Sequence, residues 1–417
     1  MQSKGVAATA IESLPVSLAD VRAARERIRD VIYHSPCPYS LSLSRLCGCE
    51  VYCKLDHLQM TGSFKERGAR NKLLQLTGDE KKRGVIAASA GNHALALAYH
   101  GQDLGIPVTV VMPKWAPLVK VSNCRSFGAE ILFCGESYDD ARRRAKELAG
   151  ERKLTYVPGF DDPAIVAGAG TVALEILEDV PDVDVIIVPV GGGGLISGVA
   201  LAAKALRPEI KIIGVEPRNA STLEASLKAG RVTKIDTKPT LADGLAVAEV
   251  GKVCFDILRT PGMLDQLLLV DEAQVARAVL RLLEHEKMVI EGGGAVPLAA
   301  AMDPAVDLAG KKVVLVLSGG NIDVTVLSKI IERGLSADGR LARFICRMSD
   351  RPGSLARLTR ILADTAASVH EVYHDRQFGP ADIGVVNIVC VLETRDAEHI
   401  REIAVALAEA GISFEMR

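Results

Sequence analysis

The segment Thr61-Gly62-Ser63-Phe64-Lys65-Glu66-Arg67-Gly68-Ala69 holds the residue with the widest chemical scope in this chain. Ser63 can cap a helix that begins at Phe64, which sets Lys65 in the first turn beside the positive end of the helix dipole. A cation is disfavoured there, so the amine gives up its proton more readily, as an amine that must form a Schiff base requires. Ser89-Ala90-Gly91-Asn92-His93 follows an apolar run and opens a second helix. Successive N–H groups at such a start suit a carboxylate, and the Asn92 amide suits a phenolic or carbonyl oxygen. Gly191-Gly192-Gly193-Gly194-Leu195 lies between a strand and a helix, where backbone amides can cradle a phosphate. Ser318-Gly319-Gly320-Asn321 ends another strand and puts a hydroxyl on the same face. Taken singly, each also reads as an ordinary surface lysine, capped turn or strand-to-helix connection.

Competing chemistries fit less well. Glu216 stands where a ribose-binding acid is expected in a dinucleotide fold, but the third glycine of that fingerprint is missing. Reading Gly191 as the first glycine puts Ile196 in its place, and reading Gly192 as the first puts Ser197 there. There is no GxxxxGK[ST], which argues against a triphosphate loop. Cys47, Cys49 and Cys53 alternate within an apolar strand and lack a second cluster, so they read as buried thiols rather than metal ligands. Arg142-Arg143-Arg144 has acidic neighbours and reads as a solvated helix face.

These loops need a scaffold, and the apolar pattern supplies one. A helix opens at Ser17 with Asp20 three residues on, as in a capping box. From Val85 onward, short β-branched runs alternate with Ala-rich helical stretches: VIAAS, PVTVVM, EILFC, DVIIVPV, KIIGVE, QLLLV and KVVLVLS. Continuous apolar strands separated by helices indicate parallel strands covered on both faces, hence a layered α/β fold. Ligands in such sheets sit beyond the carboxyl ends of the strands, where these glycine-rich loops fall. The rhythm changes at Ser336-Ala337-Asp338-Gly339, and the βαββαβ order beyond it predicts a small ferredoxin-like unit.

Composition narrows the class. Of 417 residues, 50 are Lys or Arg and 52 Asp or Glu, a formal charge of −2 that offers no basic excess for nucleic acid. The 48% apolar and 24% charged content is that of a globular chain. Nine cysteines form no framework, which reads as reduced thiols inside a cell, and no apolar run is long enough for a membrane span. Residues 1–21 carry no signal-type stretch, so a cytoplasmic protein is expected.

Together, in this order, SFKERGA, SAGNHA, AGAGT, GGGGL, EGGGA and SGGN resemble the fold-type II pyridoxal-phosphate enzymes, and most closely the serine/threonine dehydratases. DRPGSLARLTRILAD resembles the helix of an ACT domain. The resemblance implies an α/β fold-type II architecture, two layered subdomains with mostly parallel sheets, plus a C-terminal ferredoxin-like βαββαβ ACT domain. The boundaries expected are 1–335 for the catalytic domain, with a smaller subdomain at about 60–165, then a linker at 336–340 and the ACT-like domain at 341–417. It also implies pyridoxal 5′-phosphate as cofactor, bonded to Lys65 as the catalytic residue. Phe64 would pack against it, Asn92 would meet its 3′-oxygen, and Gly191, Gly192, Gly193 and Gly194 would hold its phosphate. Ser318 would hydrogen-bond its ring nitrogen. Ser63, Ser89, Gly91, Asn92 and His93 would contact the substrate. The implied reaction is elimination and deamination of L-threonine, with L-serine, to a 2-oxo acid and ammonia.

Two departures bear on the chemistry. Serine racemases commonly carry a second serine where this chain has Ala90, which favours elimination over racemisation. Relatives with a divalent-ion site often have an acid where this chain has Thr222, which leaves open a monovalent ion, a divalent ion or none at Glu216 and the carbonyl of Ala220. Asp350, Gly353 and Leu355 lie where family effectors often bind, so an amino-acid effector is expected, and such modules usually pair across subunits in a homo-oligomer. The remaining alternatives are a racemase-like enzyme with side dehydratase activity, a nicotinamide-dependent dehydrogenase, and a non-catalytic amino-acid sensor.

Overall fold

The computed structural model describes residues 14–116, 118–376 and 384–416. The expectations for the first thirteen residues, including the lack of a signal stretch, lie outside them. The chain divides into two compact units, 1–324 and 325–417.

The first unit holds two sheets. The larger, in spatial order, comprises β1 (Tyr39–Ser40), β2 (Glu50–Lys54), β10 (Lys312–Val316), β7 (Val185–Pro189), β8 (Lys211–Pro217) and β9 (Gln266–Val270). Only β1 runs antiparallel to its neighbour. β7 is buried along its whole length, as its unbroken VIIVP run requires of a strand covered on both faces. Truncating Ile187 there to alanine should cost about 2–5 kcal/mol. The smaller sheet, β5 (Glu130–Phe133), β4 (Val108–Met112), β3 (Val85–Ala88) and β6 (Thr155–Tyr156), is parallel throughout.

Helix starts follow local chemistry. Ser17 and Asp20 form the expected reciprocal capping box ahead of the Leu18–Ile28 helix. Asp162 accepts from the amides of Ala164 and Ile165, and Pro163 occupies the first turn of the Pro163–Asp179 helix. AGAGT falls inside that helix, where its glycines serve packing. A Cβ on Gly168 would lie 2.6 Å from the Arg67 carbonyl oxygen, and one on Gly170 would lie 2.9 Å from that of Gly198. The helix therefore packs backbone to backbone on the Lys65–Leu74 and Gly194–Leu206 helices. Between them lies a buried ionic cluster. Arg67 donates to both oxygens of Asp56 (2.8 and 2.8 Å) and both of Glu175 (2.6 and 2.8 Å). Lys54 adds a contact of 2.7 Å to Glu175.

The second unit has the ferredoxin-like order predicted. β11 (Leu341–Ser349), β12 (Ser368–Asp375), β13 (Val385–Glu393) and β14 (Ser413–Met416) form one antiparallel sheet, ordered β12-β13-β11-β14. β11 alternates buried and exposed residues, with Phe344 and Cys346 facing Leu358, Leu362, Ile403 and Leu407 of its two helices. The first helix of this unit begins at Ser354, with Gly353 at φ 94° in its cap position. One expectation changes here. Ser336 and Ala337, read as linker, finish a helix spanning Val324–Ala337, and the division between the units falls at its start.

Candidate active site

The carboxyl ends of β3, β7 and β10 open onto one cavity of about 320 Å³. Its walls include Phe64, Lys65, Ser89, Gly91, Asn92, His93, Gly191 to Gly194 and Ser318, which stand far apart in sequence. Ser63 is the exception. It is fully buried behind the wall, where its backbone bridges to Gly319 and its hydroxyl has no partner among the described residues. Nor does it cap the helix, which starts at Lys65 with Phe64 in the cap position and no side-chain bond. The amide of Phe64 donates instead to the Ser318 carbonyl (3.0 Å), which ties the lysine loop to the end of β10.

Lys65 occupies the first helical turn, and its Nζ donates to the Gly159 carbonyl at 2.6 Å. Burial, opposed by Cys254 and Glu291 nearby, holds the amine down at about 8. At that value about a tenth of the amine is neutral at pH 7, a few hundred times the share of an ordinary lysine, which makes it a competent nucleophile and base.

The glycine loop is shaped by close approach. A Cβ on Gly192 would lie 2.3 Å from the Phe160 ring, and one on Gly194 would lie 3.0 Å from Phe160 Cβ. Gly193, at φ 93°, turns the chain into the Gly194–Leu206 helix. The first amides of that helix have no intrahelical acceptor and face the cavity end of the loop, an arrangement suited to a phosphate.

Asn92 begins the Asn92–Leu104 helix, with Gly91 in the cap position. Its Nδ2 donates to Glu291 Oε1 (2.7 Å), and its Oδ1 accepts from Asn321 Nδ2 (2.9 Å). Ser89 Oγ accepts from the amide of Gly91 (3.2 Å). His93 is a packing residue: its Nε2 meets the Val157 carbonyl at 3.0 Å, and burial, with Lys65 nearby, lowers the ring to about 4.

Phe160 also lines the cavity, and Glu291 and Asn321 complete these walls and loops, although neither of those two is proposed as a site residue from sequence. Burial pushes the Glu291 carboxyl up to about 7, helped by Asp243. Its signal was there to find, as an acid set before three glycines at the start of the Gly292–Ala301 helix.

The residues considered for a cation serve differently. Glu216 Oε1 accepts from the amide of Leu223 (2.7 Å) and Oε2 from that of Glu224 (3.0 Å), so the carboxylate caps the Thr222–Ala229 helix. Among the described residues no cluster of three or more His, Cys, Asp or Glu could hold a metal, and all nine cysteines are free. In the second unit Asp350 pairs with Arg376 (2.9 Å), while Gly353 caps the next helix and Leu355 is exposed. No helix among the described residues is long and apolar enough to cross a membrane.

Residues 28–319 match the family described as pyridoxal-phosphate dependent enzyme, and residues 342–409 match the ACT domain. The L-threonine ammonia-lyase of Thermotoga maritima is 44% identical over 96% of this chain and 99% of its own length. The catabolic L-threonine dehydratase TdcB of Escherichia coli K12 is 40% identical over 76% of this chain and 96% of its own. Among solved structures, the processed form of threonine deaminase isoform 2 from Solanum lycopersicum superposes with a TM-score of 0.74 at 35% identity. It covers 80% of this chain and 95% of its own. Serine racemase from Dictyostelium discoideum gives 0.70 at 36%, covering 74% and 99%. The glycine-lined cup, the buried amine of low proton affinity and these matches agree, and the chain belongs to the pyridoxal-phosphate dependent enzymes, with an ACT domain following in sequence.

Proposed function

We propose that this chain is an ammonia-lyase that converts L-threonine, and L-serine with it, to 2-oxobutanoate or pyruvate and ammonia. The observation that carries the reading is Lys65, a buried amine held near 8 that faces the glycine loop and Asn92 across one cavity. The near-complete overlap with a 44% identical L-threonine ammonia-lyase supports the substrate.

The cavity fits the cofactor. The amides from Gly191 to Gly194 would take its phosphate, and a side chain at Gly192 or Gly194 would collide with Phe160. Lys65 would bond its aldehyde carbon, Phe64 would pack against the ring, and Asn92 would face the phenolic oxygen. Ser318 would meet the ring nitrogen. A hydroxyl there, unlike a carboxylate, does not force that nitrogen to stay protonated. When bound, pyridoxal 5′-phosphate withdraws electrons from the substrate α-carbon, which makes the α-proton acidic and lets the β-hydroxyl leave as water.

The chain's own groups do the rest. The turn from Ser89 to His93 would bind the substrate carboxylate through its amides, with the His93 ring kept neutral and structural. Freed Lys65 Nζ would remove the α-proton, a task matched to an amine near 8. The enamine released after loss of water takes up a proton at carbon and hydrolyses to the 2-oxo acid and ammonia. Ala90 brings no hydroxyl to the opposite face, which supports elimination over racemisation. One methyl in an apolar pocket is worth only ~1–3 kcal/mol, so both hydroxy amino acids should react.

The second unit would bind a small amino-acid effector at the Asp350–Leu355 turn, within a homo-oligomer. Nine free thiols fit a reducing compartment, the cytoplasm. The direct test supplies L-threonine or L-serine to the cofactor-loaded chain and measures 2-oxo acid and ammonia. Equal amounts of both products support the reading, and turnover of neither amino acid would dismiss it.

A further inference from the structure

The amide of Asn92 can face the cavity with either its nitrogen or its oxygen, and the fold decides which. The Thr61 carbonyl is a main-chain acceptor that cannot donate. Asn321 Nδ2 donates to it at 2.6 Å and uses its second hydrogen on Asn92 Oδ1 at 2.9 Å. With that oxygen engaged, Asn92 Nδ2 must be the outward group, and it donates to Glu291 Oε1 at 2.7 Å. The sense of every bond in this chain of contacts is therefore set by one backbone oxygen.

Two glycines leave room for it. A Cβ on Gly62 would lie 2.5 Å from Asn321 Oδ1. One on Gly319 would lie 2.4 Å from Glu291 Oε1 and 3.2 Å from Asn92 Nδ2. Gly62 also sits at φ 76°, where other residues are strained. The path joins four segments, at Thr61, Asn92, Glu291 and Asn321, and all of it lies within the first unit.

We infer that Asn321 and Glu291 are positioning residues that hold the Asn92 amide with its nitrogen, rather than its oxygen, toward the phenolic oxygen of the cofactor. This rests on the proposed seat of the cofactor on Lys65. A flipped amide would set one lone-pair-bearing oxygen against another, weakening cofactor binding and changing how the visible band responds to pH. Glu291 also accepts one Nδ2 hydrogen and leaves the second for the cavity.

The experiment titrates cofactor-free full-length protein with pyridoxal 5′-phosphate, reads the visible band, and then follows the pH midpoint of that band. Asn321→Asp keeps the size but removes both donors. It should weaken binding about tenfold or more, the worth of one misdirected hydrogen bond, and shift the pH midpoint. Glu291→Ala should act in the same direction, and Glu291→Gln, which keeps an acceptor oxygen, should recover most of the loss. Should Asn321→Asp not fold, the Glu291 pair decides alone. Parent-like affinity and an unshifted midpoint in Asn321→Asp would overturn the assignment, as would equal impairment of Glu291→Gln and Glu291→Ala. A parent chain that takes up no cofactor overturns the proposed seat as well; normal uptake beside an unimpaired Asn321→Asp overturns the positioning role alone.

Discussion

Replacing Lys65 with methionine should stabilise the cofactor-free protein at neutral pH, although it abolishes activity. The amine sits at about 8 in the fold against an ordinary 10.5. Each pH unit between those values is worth 1.36 kcal/mol, so burying the ammonium costs up to about 3 kcal/mol. That figure is an upper limit, because water entering the cavity reaches part of the side chain. The sign follows from proton linkage. Between pH 8 and 10.5 the unfolded chain holds a proton that the folded chain has released, so parent stability rises with pH across that window. Below pH 8 the penalty is complete, and above 10.5 it is gone. Methionine fills the same space without the charge. Urea unfolding of both cofactor-free proteins, followed by circular dichroism at pH 7, 8, 9 and 10, measures the offset. The variant should be more stable by about 1–3 kcal/mol at pH 7, with the gap closing toward pH 10. A variant less stable than the parent at pH 7, or an offset that ignores pH, would refute the reasoning.

Other consequences can be checked with the same protein. Gly192→Ala forces the Phe160 ring to move from a 2.3 Å contact, so cofactor affinity should fall about tenfold while stability drops by only ~1–3 kcal/mol. Titration with pyridoxal 5′-phosphate and urea unfolding measure the two separately. Arg67→Met leaves Asp56 and Glu175 buried without their shared partner, which should cost about 3–5 kcal/mol in urea unfolding. The His93 ring, lowered to about 4, should show no nuclear magnetic resonance titration between pH 5 and 8, and a midpoint near 6.5 would contradict its placement. Because the unfolded ring takes its proton first, the same group should erode stability as pH falls from 6.5 toward 4. If the Asp350–Leu355 turn binds an amino acid as proposed, Asp350→Ala, which releases Arg376, should reduce the heat of amino-acid binding to the full chain without altering cofactor uptake.

The scaffold was legible because its signals are local. Unbroken runs such as VIIVP and VTVVM place parallel strands, and the Ser17–Asp20 pair announces a helix within four residues. Motif order then carried Lys65, Asn92, Gly191 to Gly194 and Ser318 to one cavity. What escaped was contact through space. Nothing near Asn321 in sequence says that it meets Asn92, and Glu291 looks like any acid before glycines until its partner is seen. Ser63 misled because a serine before a helix usually caps it, whereas here the loop's backbone is committed to Ser318 and Gly319. Glu216 carried the reverse lesson, since an acid near the end of a strand suggested a ligand site and its carboxylate caps the helix that follows.

The proposed chemistry turns on which atom bears the cofactor. Borohydride reduction of the loaded protein, followed by digestion and peptide mass mapping, should find one phosphopyridoxyl group, attached to Lys65. A label on any other lysine, or a loaded protein that yields no labelled peptide, would contradict it.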